Sequence, residues 1–293
     1  MPFLQLVIDA GPGDPAPVEE ACFSAGALSV TLTDAADDPV LEPAPGATPL
    51  WPAVRVSALF PGGTDGAAVT ASLAESLGLP SHRILAERVE DRAWEREWLK
   101  DFRPMRFGRR LWIAPGGQEV AEPGAVVLEL DPGLAFGTGT HATTAMCLEW
   151  LDNLELGGRR VLDFGCGSGV LALAALRLGA QRAVAVDIDP QALAATQENA
   201  ARNGLGDAIH VLHADALPEG CWDVVLANIL AGPLVRLAPR IAAATCEGGR
   251  LLLAGLLDEQ APDVAAAYRP WFHMQAFAAR DGWTALTGRK STE

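Results

Sequence analysis

The stretch VLDFGCGSGVLALAA, residues 161–175, sets an apolar strand-like run, a glycine turn and a leucine- and alanine-rich helical run end to end. Strand, tight turn and helix in that order form the nucleotide-binding architecture of open parallel sheets, whose ligands sit outside the carboxyl ends of the strands. The glycines permit positive φ and close approach of the backbone to a ligand. The helix after the turn is expected to present its free first N–H groups there.

The ligand is the next question. A dinucleotide fingerprint reads G-x-G-x-x-G and holds a pyrophosphate at the helix start. Here the run is Gly165-Cys166-Gly167-Ser168-Gly169, with Asp163 just before it. A carboxylate there opposes a pyrophosphate and suits a cofactor with a cationic amino-acid end. S-adenosylmethionine carries an ammonium and a sulfonium and no phosphate. Asp187 closes the run AVAVD, 22 residues beyond Gly165. An acid at the tip of the second strand accepts hydrogen bonds from both ribose hydroxyls. Asp189, followed by Pro190, reads as a helix cap. Asp215, after the third strand, is either an adenine contact or a solvated loop acid. Asn228 ends the fourth strand, DVVLAN, where an amide can position both the cofactor and an incoming amine. The combination favours a methyltransferase over a dehydrogenase.

Around this core the chain from Leu111 alternates short apolar strands with helices. That pattern predicts a mostly parallel, doubly wound sheet. LWIAP and AVVLELD read as strands, HATTAMCLEWLDNL (141–154) as a helix, and WFHMQAFAA and WTALTG as closing strands. The first ninety residues read β-α-β-β-α-β: strands at 3–9, 27–33, 53–60 and 82–90, helices at 18–26 and 66–78. This is the order of the ferredoxin-like split βαβ unit. A Pro-rich acidic loop runs from Asp34 to Pro52. Between the two regions, WEREWLKDFRPMRFGRR (94–110) is expected to be a linker helix carrying Trp94 and Trp98 on one face, ended by Pro104. The boundaries are therefore 1–92 for the small domain, 93–110 for the linker helix and turn, and 111–293 for the α/β domain.

Charge separates the regions further. The 293-residue chain has a net charge of −15. Residues 1–92 hold thirteen acidic side chains against four arginines. An acidic ferredoxin-like domain repels nucleic acid, and its strands offer only Phe3 and Phe60 for stacking bases. It suits a basic protein partner, although an acidic surface also serves plain solubility. No apolar run is long enough for a membrane span, and the amino terminus lacks the basic start and cleavage site of a signal peptide. Five scattered cysteines (22, 147, 166, 221 and 246) form no C-x-x-C pair. The expectation is no metal site, no disulfide and a cytoplasmic setting.

One more stretch, DPGLAFGTGTHATT (131–144), lacks the G-K-[ST] ending of a phosphate loop. It reads as a loop over the amino-acid end of the cofactor, glycine-rich enough to open and close. His141 within it reads as a helix-start residue rather than a required base. This stretch, with WEREWLKDFRPMRFGRRLWI, VLDFGCGSGVLALAA, DIDPQALAATQENAARNG and DVVLANILAGPL, closely resembles the bacterial ribosomal protein L-eleven methyltransferases (PrmA). The resemblance spans the chain, and LAFGTGTH and ANILAGPL carry its specificity.

The resemblance implies a substrate-binding ferredoxin-like domain, a flexible linker and a class I (Rossmann-like) methyltransferase domain. It implies S-adenosyl-L-methionine as cofactor and trimethylation of lysine side chains and of the N-terminal α-amine of protein L-eleven. Matched by motif, Thr144, Gly165, Asp187 and Asn228 contact the cofactor; Gly167 joins them from the turn itself. Asn228 is the one residue expected to position substrate, and no residue is assigned as a general base. One departure is His141-Ala142-Thr143-Thr144, where the family usually has His-Pro-Thr-Thr. Two other readings are a class I enzyme for a different protein or a small molecule, and a non-catalytic cofactor-binding regulator. The mobile docking domain implied by the family favours a monomer.

Overall fold

Residues 3–11, 13–36, 50–89, 103–130 and 141–292 are described in this computed structural model. The chain divides into two units, 1–94 and 95–293. The segment 90–102, with Trp94 and Trp98, and the glycine-rich stretch 131–140 lie outside the described residues, as does most of the Pro-rich acidic loop.

The first unit runs β1 (Phe3–Gly11), α1 (Ala16–Ser24), β2 (Ser29–Asp34), β3 (Val54–Pro61), α2 (Gly66–Leu77) and β4 (Ile84–Val89). Its sheet has the order β2-β3-β1-β4, with every pair antiparallel. Alternation decides which face is buried, because successive side chains of a strand point to opposite faces. Leu4, Leu6 and Ile8 of β1 meet Val54, Val56, Ala58 and Phe60 of β3, and Val18, Cys22, Leu73 and Ala74 of the two helices close that core. Helix α2 begins where the Asp65 carboxylate accepts the N–H groups of Ala67 and Ala68. It ends at Gly78, whose φ of +61° suits a residue without a Cβ.

The second unit opens with β5 (Met105–Phe107), β6 (Leu111–Ala114) and β7 (Val126–Glu129). These make a separate three-stranded sheet rather than joining the main one. Then follow α3 (Ala142–Asp152), β8 (Arg160–Phe164), α4 (Val170–Arg177), β9 (Arg182–Asp187), α5 (Pro190–Arg202), β10 (Ile209–His213) and β11 (Trp222–Asn228). The chain closes with α6 (Ala231–Ala244), β12 (Thr245–Leu257), α7 (Ala261–Tyr268), β13 (Phe272–Arg280) and β14 (Trp283–Lys290).

The main sheet has the order β10-β9-β8-β11-β12-β14-β13. Its first five strands are parallel, and β14 alone runs against them, paired antiparallel with β12 on one side and β13 on the other. Both faces are covered, as parallel sheets require. Val224 and Leu226 of β11 pack with Met146, Leu173 and Ala200 of α3, α4 and α5. Val225 and Ala227 pack on the other side with Leu234, Ile241, Val264 and Tyr268 of α6 and α7. The strand order reverses between β8 and β11, which opens the ligand crevice at their carboxyl ends.

Two local features differ from expectation. The described end of the expected linker helix and turn is a strand and turn of the second unit. Asp152, buried at the end of α3, accepts the N–H of Arg109 at 2.5 Å and of Arg110 at 3.3 Å, and pairs with the Arg110 guanidinium. Gly108, with φ +70°, passes so close to Asp152 that a Cβ would overlap it. That partner lies more than forty residues downstream, so nothing local announces it. Secondly, Cys221 and Cys246 are joined in a disulfide, their Cα atoms 4.9 Å apart. The expectation of no disulfide is corrected by register: Trp222 pairs with Thr245 where β11 and β12 begin side by side. No described helix is long and apolar enough to cross a membrane.

Candidate active site

The glycine turn links β8 to α4. Gly165, Gly167 and Gly169 all have positive φ, at +82°, +54° and +78°, which L side chains rarely adopt. The space around two of them is also taken. A Cβ on Gly165 would collide with Ile229, and one on Gly169 would lie 2.6 Å from Thr196 Cγ2.

Four N–H groups of the turn itself are engaged within the chain. Gly165 and Cys166 both donate to the Val186 carbonyl, at 2.8 and 3.0 Å. Gly167 donates to Asp187 Oδ2 at 3.0 Å, and Gly169 to the Cys166 carbonyl at 2.8 Å. This sharpens the ligand argument. A pyrophosphate site needs those donors free and pointing outward; here two backbone carbonyls and a carboxylate already hold them.

Asp163 does not face the ligand either. It is fully buried, and its Oδ2 accepts the Ala172 N–H in the first turn of α4 at 3.1 Å. Oδ1 has no hydrogen-bond partner among the described residues. Burial pushes its pKa up to about 7, against the pull of the Ala172 N–H and with a further push from Asp187. Cys166 beside it is pushed up to about 12, by burial first and then by Asp163. Asp163 therefore anchors the helix beneath the turn, and Cys166 is no nucleophile at neutral pH.

Asp187 stands at the tip of β9 as expected. Besides Gly167, it accepts Ile188 N–H at 2.7 Å and Asp189 N–H at 3.0 Å through Oδ1. A carboxylate accepts about four hydrogen bonds, so capacity remains on Oδ2 for one further donor such as a sugar hydroxyl. Asp189 caps α5 by accepting the Gln191 N–H at 2.9 Å. Asp215 is solvated, with its carboxylate 3.5 Å from His213.

The other wall comes from α3 and β11. The Asn228 amide donates to Thr144 Oγ1 at 3.3 Å, joining two expected site residues from positions 84 apart. Thr144 is buried in the first turn of α3. His141 begins that helix: its Nδ1 accepts the Thr143 N–H at 3.3 Å and lies 2.8 Å from Thr143 Oγ1. Its ring meets Trp283 edge-on, with centroids 5.1 Å apart. Cap and packing together fit a helix-start role. Ile229, next to Asn228, is held from the β12 side by Gly255, where a Cβ would lie 2.6 Å from the Ile229 carbonyl oxygen.

The sequence reading missed Ile229 and Gly255, and three polar residues of α5 and its C-terminal cap: Thr196, Asn199 and Asn203, all buried. The pattern shows in the sequence, though its partners do not. A helix laid on a sheet buries an apolar stripe, whereas QALAATQENAARN repeats small polar residues where that stripe belongs.

A glycine turn whose donors are closed to phosphate, an acid at the tip of the second strand and an amide at the tip of the fourth define a class I methyltransferase domain. The residues fit S-adenosylmethionine, which brings no phosphate for those donors to meet. The particular family follows from comparison with known proteins. The chain belongs to the family described as Ribosomal protein L11 methyltransferase (PrmA), which matches residues 2–291. It is 54% identical over 291 residues to the ribosomal protein L11 methyltransferase of Azotobacter vinelandii (strain DJ / ATCC BAA-1303), covering 98% of this chain and 99% of that one. It is 52% identical over 296 residues to the protein of that description from Pseudomonas aeruginosa (strain LESB58), with full coverage of both. Among solved structures, ribosomal protein L11 methylase from Lactobacillus delbrueckii subsp. bulgaricus matches 65% of this chain and all of its own, with 31% identity and a TM-score of 0.59.

Proposed function

We propose that this protein transfers methyl groups from S-adenosyl-L-methionine to lysine side-chain amines and the N-terminal α-amine of ribosomal protein L11, up to trimethylation. Family membership supports the substrate. The observation that carries the chemistry is the Asn228–Thr144 hydrogen bond at the strand tip beside the glycine turn. With its N–H committed to Thr144, the Asn228 amide keeps its oxygen as an acceptor for a substrate amine.

The bound cofactor supplies an electrophilic methyl on a sulfonium, a leaving group already activated, so the protein's main task is alignment. In this reading Gly165 and Gly167 hold the backbone side of the cofactor, Asp187 a ribose hydroxyl, and Thr144 and Asn228 the methyl end. A lysine has a pKa near ~10.4 in water and must lose a proton before it attacks. Desolvation at the site lowers that value, and water can carry the proton away, so no dedicated base is needed.

The acidic first unit, 1–92, would dock the basic substrate protein, with the stretch before β5 as the joint to the catalytic domain and no call on nucleic acid or membrane. The enzyme would act as a cytoplasmic monomer. Incubation with labelled S-adenosylmethionine and purified L11, followed by intact-mass analysis, tests the reading. Groups of three methyls added to L11 support it; an unchanged L11 mass defeats it. Deleting residues 1–90 should abolish methylation of L11 while cofactor binding remains. Normal methylation by the truncated enzyme would end the docking reading.

A further inference from the structure

We infer that helix α5 positions the cofactor turn through Thr196 and Asn199, and is itself fixed at its C-terminal cap by Asn203. These side chains recur at a spacing that sets them along one face of the helix, and all three are buried. Buried polar groups persist where hydrogen bonds satisfy them, and here the partners define a task. Thr196 Oγ1 donates to the Gly167 carbonyl at 2.9 Å. Asn199 Nδ2 donates to the Ser168 carbonyl at 3.0 Å. Asn203 accepts the Glu129 N–H at 2.9 Å through Oδ1 and donates to the Glu129 carbonyl at 2.6 Å through Nδ2. It thus pairs with the end of β7 as a neighbouring strand would.

The turn is gripped from two sides. The end of β9 takes its N–H groups, through Val186 and Asp187. Helix α5 takes its carbonyls. Three glycines at positive φ gain most from such a clamp, because glycine has the widest choice of other conformations to lose. The Thr196 methyl adds a steric stop against Gly169. Ordering the turn before the ligand arrives removes an ordering cost from binding. The inference rests on the methyl-donor part of the proposed reading and is independent of which amine is methylated.

The test is Thr196→Val, which keeps the shape and removes the hydroxyl, beside Thr196→Ser, which keeps the hydroxyl. Affinity for S-adenosylmethionine is read by calorimetry, and exchange of the turn amides by hydrogen–deuterium mass spectrometry without cofactor. One lost hydrogen bond corresponds to roughly a tenfold change. The valine variant should bind about tenfold more weakly, exchange faster at 165–169 alone, and keep kcat at saturating cofactor. Serine should restore affinity to within about threefold. Asn199→Ala, which removes the neighbouring donor, should give the same pattern and stands in should the valine variant fail to fold. Wild-type affinity in the valine and alanine variants overturns the inference. So does faster exchange throughout the second unit in step with weaker binding. If instead the unmodified enzyme binds no S-adenosylmethionine, the methyl-donor reading itself has failed.

Discussion

The two ends of the parallel sheet are built on different principles. At the amino ends of the strands, side chains close the structure. The Cys221–Cys246 disulfide joins the starts of β11 and β12. The Asp223 carboxylate accepts the Arg160 N–H at 2.8 Å, with the Arg159 and Arg160 guanidinium groups 3.9 Å away. Lys290 donates to the carbonyls of Ala242 and Thr245 at the end of α6, both at 2.7 Å. At the carboxyl ends the backbone comes forward, and buried polar groups hold it in conformations it would otherwise leave. A buried Asp163, one oxygen of which has no partner among the described residues, and three glycines at positive φ belong to that end. Polar groups buried with incomplete partners cost stability, so the crevice is where the sheet trades firmness for a shaped opening.

The largest effect expected at the crevice is from Gly165→Val. A β-branched side chain at φ +82° meets both backbone strain and the Ile229 side chain, each worth ~1–3 kcal/mol. Together they should weaken cofactor binding about 1000-fold, measured by calorimetry. Near-normal affinity would show that the turn is not held as described. The amino end should respond in stability instead. Breaking the disulfide by Cys221→Ser with Cys246→Ser opens a loop of 25 residues, and the chain-entropy relation gives a loss of about 3.5 kcal/mol. Denaturant unfolding checks this, with methyl transfer at 25 °C expected to persist. A variant as stable as its parent would show that the pair contributes nothing.

A smaller effect lies in the pH dependence. Asp163 is held at about 7 in the fold against 3.8 ordinarily, so the folded state keeps a proton that the unfolded chain gives up. Its contribution is fully present below the ordinary value and fades as pH rises through about 7. Relative to Asp163→Asn, which retains an acceptor for Ala172, the parent should lose about 4 kcal/mol between pH 4 and 8. Unfolding midpoints that stay parallel with pH would contradict the burial argument. The smallest change is expected from His141→Ala. A lost helix cap costs about 1 kcal/mol, and activity should stay within about tenfold because alignment dominates. A fall in kcat of ~1000-fold with cofactor affinity intact would make His141 a participant in proton transfer.

The fold was legible where pattern and physics coincide. Alternation along residues 3–9 and 53–60 predicts which side chains of β1 and β3 are buried, because the pleat has a period of two. The glycine turn, Asp187 and Asn228 mark the candidate site in the sequence, because ligand binding at strand tips calls for such residue types at those points. Asp163 was misread as a ligand-facing acid, since sequence places it beside the turn but cannot say on which side of the backbone it lies. Thr196 and Asn199 went unread because helices are scanned for apolar stripes, and a polar stripe has meaning only once the opposing carbonyls are known.

The sequence by itself determined the succession of elements, the acidic character of the first ninety residues and the chemistry of the strand tips. All of these follow from residue type and local spacing. Only tertiary structure decided that Cys221 meets Cys246, that Asp152 captures the turn at Gly108, that Asn228 bonds Thr144 and that α5 grips the glycine turn. Each of these pairs joins segments distant in the chain. Their proximity is set by strand register and helix packing, to which no local pattern of residues is coupled.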